Sequence, residues 1–118
     1  RQMCIRDRGN IAKFLNKFTP TNATWNGHNS SAWKEDILAV NGFDERMQYG
    51  GEDRELGERM FNNGIKSKQI RYSAICLHLD HARGYVKPEM IQTNRAIRNN
   101  TKTKRIIKTP FGIEKDSL

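Results

Sequence analysis

Between Asn41 and Arg59 the chain reads Asn-Gly-Phe-Asp-Glu-Arg-Met-Gln-Tyr-Gly-Gly-Glu-Asp-Arg-Glu-Leu-Gly-Glu-Arg, so two adjacent carboxylates, Glu52 and Asp53, follow directly on a Gly-Gly pair. Gly50 and Gly51 can adopt backbone angles closed to other residues and let a ligand approach the main chain closely. Leu56, Met60 and Phe61 follow at helical spacing and Gly64 suits a stop, which predicts a helix from Glu52 to Asn63. Two readings of the carboxylates are open on these residues alone. Acidic side chains favour a helix N-terminus through the helix dipole, which makes the pair a well-capped surface start. A carboxylate held rigidly at a loop-to-helix junction can instead act as a general base.

A second group of potentially reactive residues lies further along, at His78-Leu79-Asp80-His81. Neutral imidazole is a good ligand for Mn-like cations in company with carboxylates. Residues three apart on a straight strand face opposite sides, so both histidines can ligate only if the strand ends or turns between them. The alternative is ordinary core or surface packing. Cys76, His78 and His81 also offer three donors to a zinc ion, but without zinc-finger spacing and without a fourth ligand.

These residues need elements to position them. Ser31 is a candidate cap for a short helix from Ala32 to Val40, with Glu35 and Asp36 in its first turns, Ile37, Leu38 and Val40 facing the core, and Gly42 ending it. A loop runs from Phe43 to Gly51, with Phe43 as a core plug and Asp44 tying the loop through backbone hydrogen bonds. Lys68 to Tyr72 and Ala74 to Leu79, rich in Ile, Tyr and Leu, are strand candidates. Pro88 suits the first position of a helix whose thin apolar side is Met90, Ile91 and Ile97. Residues 9 to 26 read as a short helix or an irregular connection, broken at Pro20. Pro110 and Gly112 predict a loosely held end.

The chain has 118 residues, of which 36% are hydrophobic, enough for one small domain with a lean core. No apolar run approaches the roughly 18 residues of a membrane span, and no signal peptide is visible. Cys4 and Cys76 are far apart, so no disulfide framework is expected and a reducing compartment fits. The net charge of +8 is uneven. From Ala82 to Lys108 eight basic residues face one acid, Glu89, whereas Ala32 to Met60 holds eight carboxylates against four basic residues. An acidic centre with a basic tail differs from one continuous basic surface.

The order Gly27-His28-Asn29-Ser30-Ser31-Ala32-Trp33-Lys34, then Val40-Asn41-Gly42-Phe43-Asp44-Glu45, then Tyr49-Gly50-Gly51-Glu52-Asp53, then His78-Leu79-Asp80-His81 resembles the C-terminal half of a family 2 (GT-A type) glycosyltransferase, close to the galactosyltransferase C-terminal module. The resemblance runs from about Gly27 to Gly84, and the blocks carry it together rather than singly. It implies an α/β fold, the C-terminal part of a GT-A (nucleotide-diphospho-sugar transferase) architecture, with a mixed sheet, flanking helices and an incomplete outline. On that reading residues 9–87 form the acceptor and catalytic half, and 88–118 a basic C-terminal helix and tail. The implied reaction is inverting transfer of a sugar from a nucleotide-sugar, UDP-linked by resemblance, to a hydroxyl of a glycan or lipid-linked acceptor, as in cell-surface polysaccharide synthesis.

By the same resemblance Asp53 is the base, and Glu52 binds acceptor or orients the loop. The Gly27 backbone and Asn29 lie near the donor sugar and diphosphate, with Trp33, Tyr49, Gly50 and Gly51 completing the substrate contacts. Trp33 can equally be core packing. Tyr49 stands where the family often has Trp, and its ring can stack on an acceptor sugar. The implied cofactor is Mn²⁺ or Mg²⁺, held in part by His78 or His81; the family's Asp-x-Asp ligands do not occur here, and Asp44-Glu45 lies in the wrong block. The nucleotide-binding half is absent from this sequence, so the fragment alone is expected to be inactive. Gln2-Met3-Cys4-Ile5-Arg6-Asp7-Arg8 resembles translated sequencing-adapter DNA, which would make residues 1–8 foreign and Cys4 meaningless. The expected location is cytoplasmic, or peripheral at the inner face of a membrane, with the basic tail meeting anionic lipid. The rival reading is a small basic nucleic-acid-binding module, supported by the tail and opposed by the acidic centre; the glycosyltransferase reading expects no nucleic-acid partner.

Overall fold

The computed structural model describes residues 9–20, 24–74, 76, 77, 79 and 87–115. Four helices are present among them: α1 (Gly9–Phe18), α2 (Lys34–Ala39), α3 (Glu52–Asn62) and α4 (Pro88–Thr103). No strand occurs among the described residues, and the β pairing seen is an isolated antiparallel bridge between Phe111 and Lys115. The expected α/β architecture, a mixed sheet of GT-A type, is therefore overturned; the fold is mainly helical. Where Lys68 to Tyr72 was expected as a strand, the chain turns, and the Ser73 and Ala74 N–H groups donate to the Ile70 carbonyl at 2.8 and 2.9 Å. In Ala74 to Leu79, the described Cys76, Leu77 and Leu79 are exposed and join no ladder. Ile, Tyr and Leu favour strands because they suit a half-buried pleated surface; with no neighbouring edge among the described residues the preference has nothing to act on.

Three helices end in the same way, with a left-handed residue closing two terminal hydrogen bonds. After α2 it is Asn41 (φ 64°), whose N–H donates to Leu38 O while Gly42 N–H reaches Ile37 O, both at 2.9 Å. After α3 it is Gly64 (φ 81°), with Ile65 N–H bonded to Met60 O at 3.0 Å, and Ile65 then packs on the core. After α4 it is Arg105 (φ 50°), with Ile106 N–H bonded to Thr101 O at 3.0 Å. The stops expected at Gly42 and Gly64 are thus present. The start of α2 differs, because Trp33 occupies the N-cap and no side chain caps it.

The apolar core is Val40, Leu56 and Met60, with Trp25, Ala32, Ile37 and Ile65 partly buried against it. Leu38 and Phe43 were expected to face inward, yet both are exposed, as is Phe61 of the α3 apolar series. Polar groups fill the remaining interior: Asn41, Asp44, Glu55, Arg59, Asn94, Thr101 and Thr109 are buried. Among the described residues every buried side-chain nitrogen and oxygen has a partner. At the centre, Arg59 Nε and Nη2 donate to Glu55 one turn earlier on α3, at 2.8–2.9 Å. Arg59 also donates to Val40 O and, at 2.7 Å, to Gly42 O at the end of α2. Thr101 Oγ1 of α4 donates to Glu55 Oε1 at 2.8 Å. One ion pair thereby joins α2, α3 and α4.

The C-terminal segment is not loosely held. Asn41 Nδ2 donates to Thr109 O and Glu114 O at 2.7 and 2.8 Å, and Asn41 Oδ1 accepts the Glu114 N–H at 2.7 Å. A Cβ on Gly112 would lie 1.7 Å from Asn41 O, so no side chain fits there. Asp44 makes the expected loop bond, accepting the Arg46 N–H at 3.1 Å. It also accepts the Arg46 guanidinium at 2.7 and 2.9 Å and Thr109 Oγ1 at 2.8 Å. The Arg46 guanidinium carbon lies 3.9 Å from the Phe111 ring centre. Pro110 and Gly112 mark a tight return rather than a free end.

Removing one partner of a buried, hydrogen-bonded ion pair strands the other charge, at a cost of about 3–5 kcal/mol. Arg59→Met should lose about that much unfolding free energy in urea titration; a loss below about 1 kcal/mol would contradict the central role of the pair. Asp44 gives a pH prediction. Burial pushes its carboxyl up, but hydrogen bonds from the Arg46 and Thr109 side chains and the Arg46 N–H outweigh burial and hold it below its ordinary value of 3.8. A folded-state value below the unfolded one stabilises the fold above the unfolded value, and this stabilisation is lost as pH falls through the folded value. Wild type should therefore exceed Asp44→Asn in stability near neutrality, with the gap closing between about pH 5 and about pH 2. A gap constant across that range would refute the assignment.

Candidate active site

The glycine loop and the first turn of α3 form the best-built site. Gly50 (φ 111°) and Gly51 (φ 92°) both take left-handed angles that other residues rarely adopt, as their identity suggested. Gly51 is the N-cap of α3. A Cβ on it would also meet Arg98 Cδ at 3.2 Å. Glu52 folds back on the loop, its Oε2 accepting the Gly50 N–H at 2.7 Å. Of the two roles open to Glu52, loop orientation is the one with a bond to carry it.

Asp53 is half-buried. Its Oδ1 accepts the Arg54 N–H at 2.7 Å and its Oδ2 the Gly27 N–H at 3.0 Å. The structure thus brings Gly27 and Asp53 together across 26 residues of sequence. Gly57 explains how the two segments come so close. It lies one turn after Asp53 on α3, and a Cβ there would stand 2.6 Å from Trp25 Cβ. The bare helix surface admits Trp25, and the chain beyond it delivers the Gly27 N–H to the carboxylate.

Other expected site residues are spread around this centre. Tyr49 is half-buried, and its carbonyl accepts from Asn94 Nδ2 at 3.2 Å. Asn29 Nδ2 donates to Ala74 O at 3.3 Å, which ties its loop to the 70–74 turn. Trp33 is 79% exposed, so it is a free ring surface and not core packing. His78 and His81 lie outside the described residues. Cys76 is exposed, its sulfur 3.7 Å from His28 O. Among the described residues no three His, Cys, Asp or Glu side chains gather into a set able to hold a metal ion.

The residues that hold the glycine loop from behind come from α4, where the basic residues were expected only as part of a charged tail. Buried Asn94 donates Nδ2 to both Tyr49 O and Gly50 O, the latter at 3.1 Å. Arg98, packed on Gly51, pairs with Glu58 of α3 at 2.5 Å, and Lys102 reaches the same carboxylate at 3.3 Å. Asn94, Arg98 and Thr101 sit at helical spacing on one face, so a polar stripe was the available signal. A recess of about 180 Å³, lined by Arg46, Gln48, Glu89, Met90, Thr93 and Asn94, shares Asn94 with the loop but does not include Asp53.

A family model described as the N-terminal domain of galactosyltransferase matches residues 11–82. No curated protein and no solved structure matches the chain. The matched domain is described as N-terminal, whereas the motif resemblance pointed to a C-terminal module; a glycosyltransferase domain of galactosyltransferase type is common to both. The match spans Gly27, Asn29, Trp33, the glycine loop, Glu52 and Asp53, and leaves α4 outside it. It takes in more than half of the chain, and the protein belongs to the family of the galactosyltransferase N-terminal domain.

Proposed function

We propose that this chain carries the base of an inverting glycosyl transfer and that Asp53 is that base. The observation that supports it is the fixed carboxylate itself: Asp53 is anchored at both oxygens by main-chain N–H groups, beside two glycines that leave the backbone bare. Each carboxylate oxygen retains a lone pair for a proton. Asp53 takes the proton of an acceptor hydroxyl as that oxygen attacks the anomeric carbon. The bond from the anomeric carbon to the diphosphate breaks on the opposite face, and the nucleoside diphosphate departs with the electron pair. Glu52 sets the loop, the Gly27 segment lies towards the donor, and Tyr49 and Trp33 offer ring surfaces to sugars.

The proposed donor is a UDP-sugar and the proposed acceptor a glycan or lipid-linked hydroxyl, in cell-surface polysaccharide synthesis on the cytoplasmic side. A divalent cation, Mn²⁺ or Mg²⁺, would offset charge on the leaving diphosphate, and His78 or His81 is the ligand offered by this chain. The nucleic-acid reading loses support, because Arg98 and Lys102 pair with Glu58 and Lys108 pairs with Glu114.

The test is sugar transfer across a panel of UDP- and GDP-sugars with Mn²⁺, on the chain as it stands and on the chain joined to the upstream half that the resemblance implies. Asp53→Asn should lower turnover by about a hundredfold or more. No turnover with any donor in either protein, or an unaffected variant, returns Asp53 to a capped helix start. Asn94→Ala should lower turnover by roughly tenfold or more through a loosened loop, with the helical circular dichroism retained. Full turnover in that variant would show that the α4 anchor does not position the site.

A further inference from the structure

We propose that α1 and the Ile70–Ala74 turn form a surface that docks on an anionic lipid bilayer. The proposal stands apart from the catalytic reading. Helix α1 is amphipathic, yet its apolar face is turned outward. Ile11, Phe14 and Phe18, at spacings of three and four, are 67%, 59% and 61% exposed. The Phe14 and Phe18 ring centres are 4.5 Å apart and form one continuous patch. The face turned to the protein carries buried Ala12, half-buried Leu15 and Asn16, which donates to Ser73 Oγ at 2.7 Å and accepts the Tyr72 N–H at 3.0 Å. A helix of a globular domain normally buries its apolar stripe.

Charge identifies the partner. Residues 9–20 and 65–74, which these hydrogen bonds join, contain Lys13, Lys17, Lys66, Lys68 and Arg71 and no carboxylate. All five cations are exposed, and Ile70 adds a further exposed apolar side chain. An exposed aromatic and aliphatic stripe flanked by lysines is the composition of a helix lying in a membrane interface, with rings among acyl chains and cations among phosphates. A second copy fits less well, since a symmetric contact would oppose like charges. A polyanion without an apolar phase would leave the stripe uncovered. The basic tail, by contrast, has Arg98, Lys102 and Lys108 already engaged by carboxylates.

The experiment is co-sedimentation of the full chain with phosphatidylcholine vesicles, with and without phosphatidylserine. Binding is expected with phosphatidylserine and much weaker binding without it. Phe14→Ser with Phe18→Ser should reduce binding by roughly tenfold or more, with unchanged circular dichroism because both rings are already exposed. Lys13→Gln with Lys17→Gln should weaken binding to the anionic vesicles, and Asp53→Asn should bind as wild type. The proposal is overturned by absence of binding to anionic vesicles, by equal binding of the double phenylalanine variant, or by a dimer in ultracentrifugation that this variant dissolves without any vesicle binding.

Discussion

A buried charge must be answered on every side, and Arg59 is the charge around which this small domain is arranged. Water is excluded from its guanidinium, so the donors have to be met by protein. Glu55 answers from the same helix, and the carbonyls of Val40 and Gly42 answer from the end of α2. Glu55 in turn takes the Thr101 hydroxyl from α4. Apolar packing around Val40, Leu56 and Met60 is too thin to fix three helices by itself. The ion pair adds direction, because each donor admits only a narrow range of angles. Such pairs often contribute little net stability over a hydrophobic replacement, so their effect here is to select one arrangement.

The site inherits that arrangement. Once α4 is held against α3 through Glu55 and Glu58, Asn94 and Arg98 stand behind the glycine loop and fix its path. The loop then presents Glu52 and Asp53 at the helix start, and the notch at Gly57 brings the Gly27 turn onto Asp53. The apparent paradox of an ordered loop made of two glycines, the least restricted of residues, is resolved by this backing. Freedom in the backbone lets the loop adopt left-handed angles, and bonds from a neighbouring helix remove the freedom afterwards.

Much of the local geometry of the candidate site was legible in the sequence, because its signals are local. Gly50 and Gly51 announced unusual angles, Gly42 and Gly64 announced helix ends, and the acids with Leu56 and Met60 announced α3. Asp44 showed its turn-forming role in its residue type. The errors came where the partner decides the outcome. Ile70, Tyr72 and Leu77 have strand preferences, but a strand exists only through an adjacent edge. Leu38 and Phe43 are apolar, yet apolarity says nothing about which side of a turn will be covered. Nothing in residue type marks Asn94 and Thr109 as buried, and their burial is visible only once α4 and the tail are seen against Gly50 and Asp44.

The bonds that Asn41 makes to the C-terminal segment carry a consequence for how the chain acquires its shape during synthesis. Asn41 is a left-handed residue in a buried turn, and its side-chain partners lie 68 and 73 residues further along. On a ribosome the turn is made long before the atoms that complete it exist. Until residues 109–114 emerge, the Asn41 side chain must be met by water, while the end of α2 can close through its own backbone bonds. Long-range closures of this kind slow folding and prolong the exposure of unfinished surfaces. Loss of residues 109–114 would therefore strip the Asn41 side chain of its partners beside Arg59, far from that segment in sequence and adjacent to it in space.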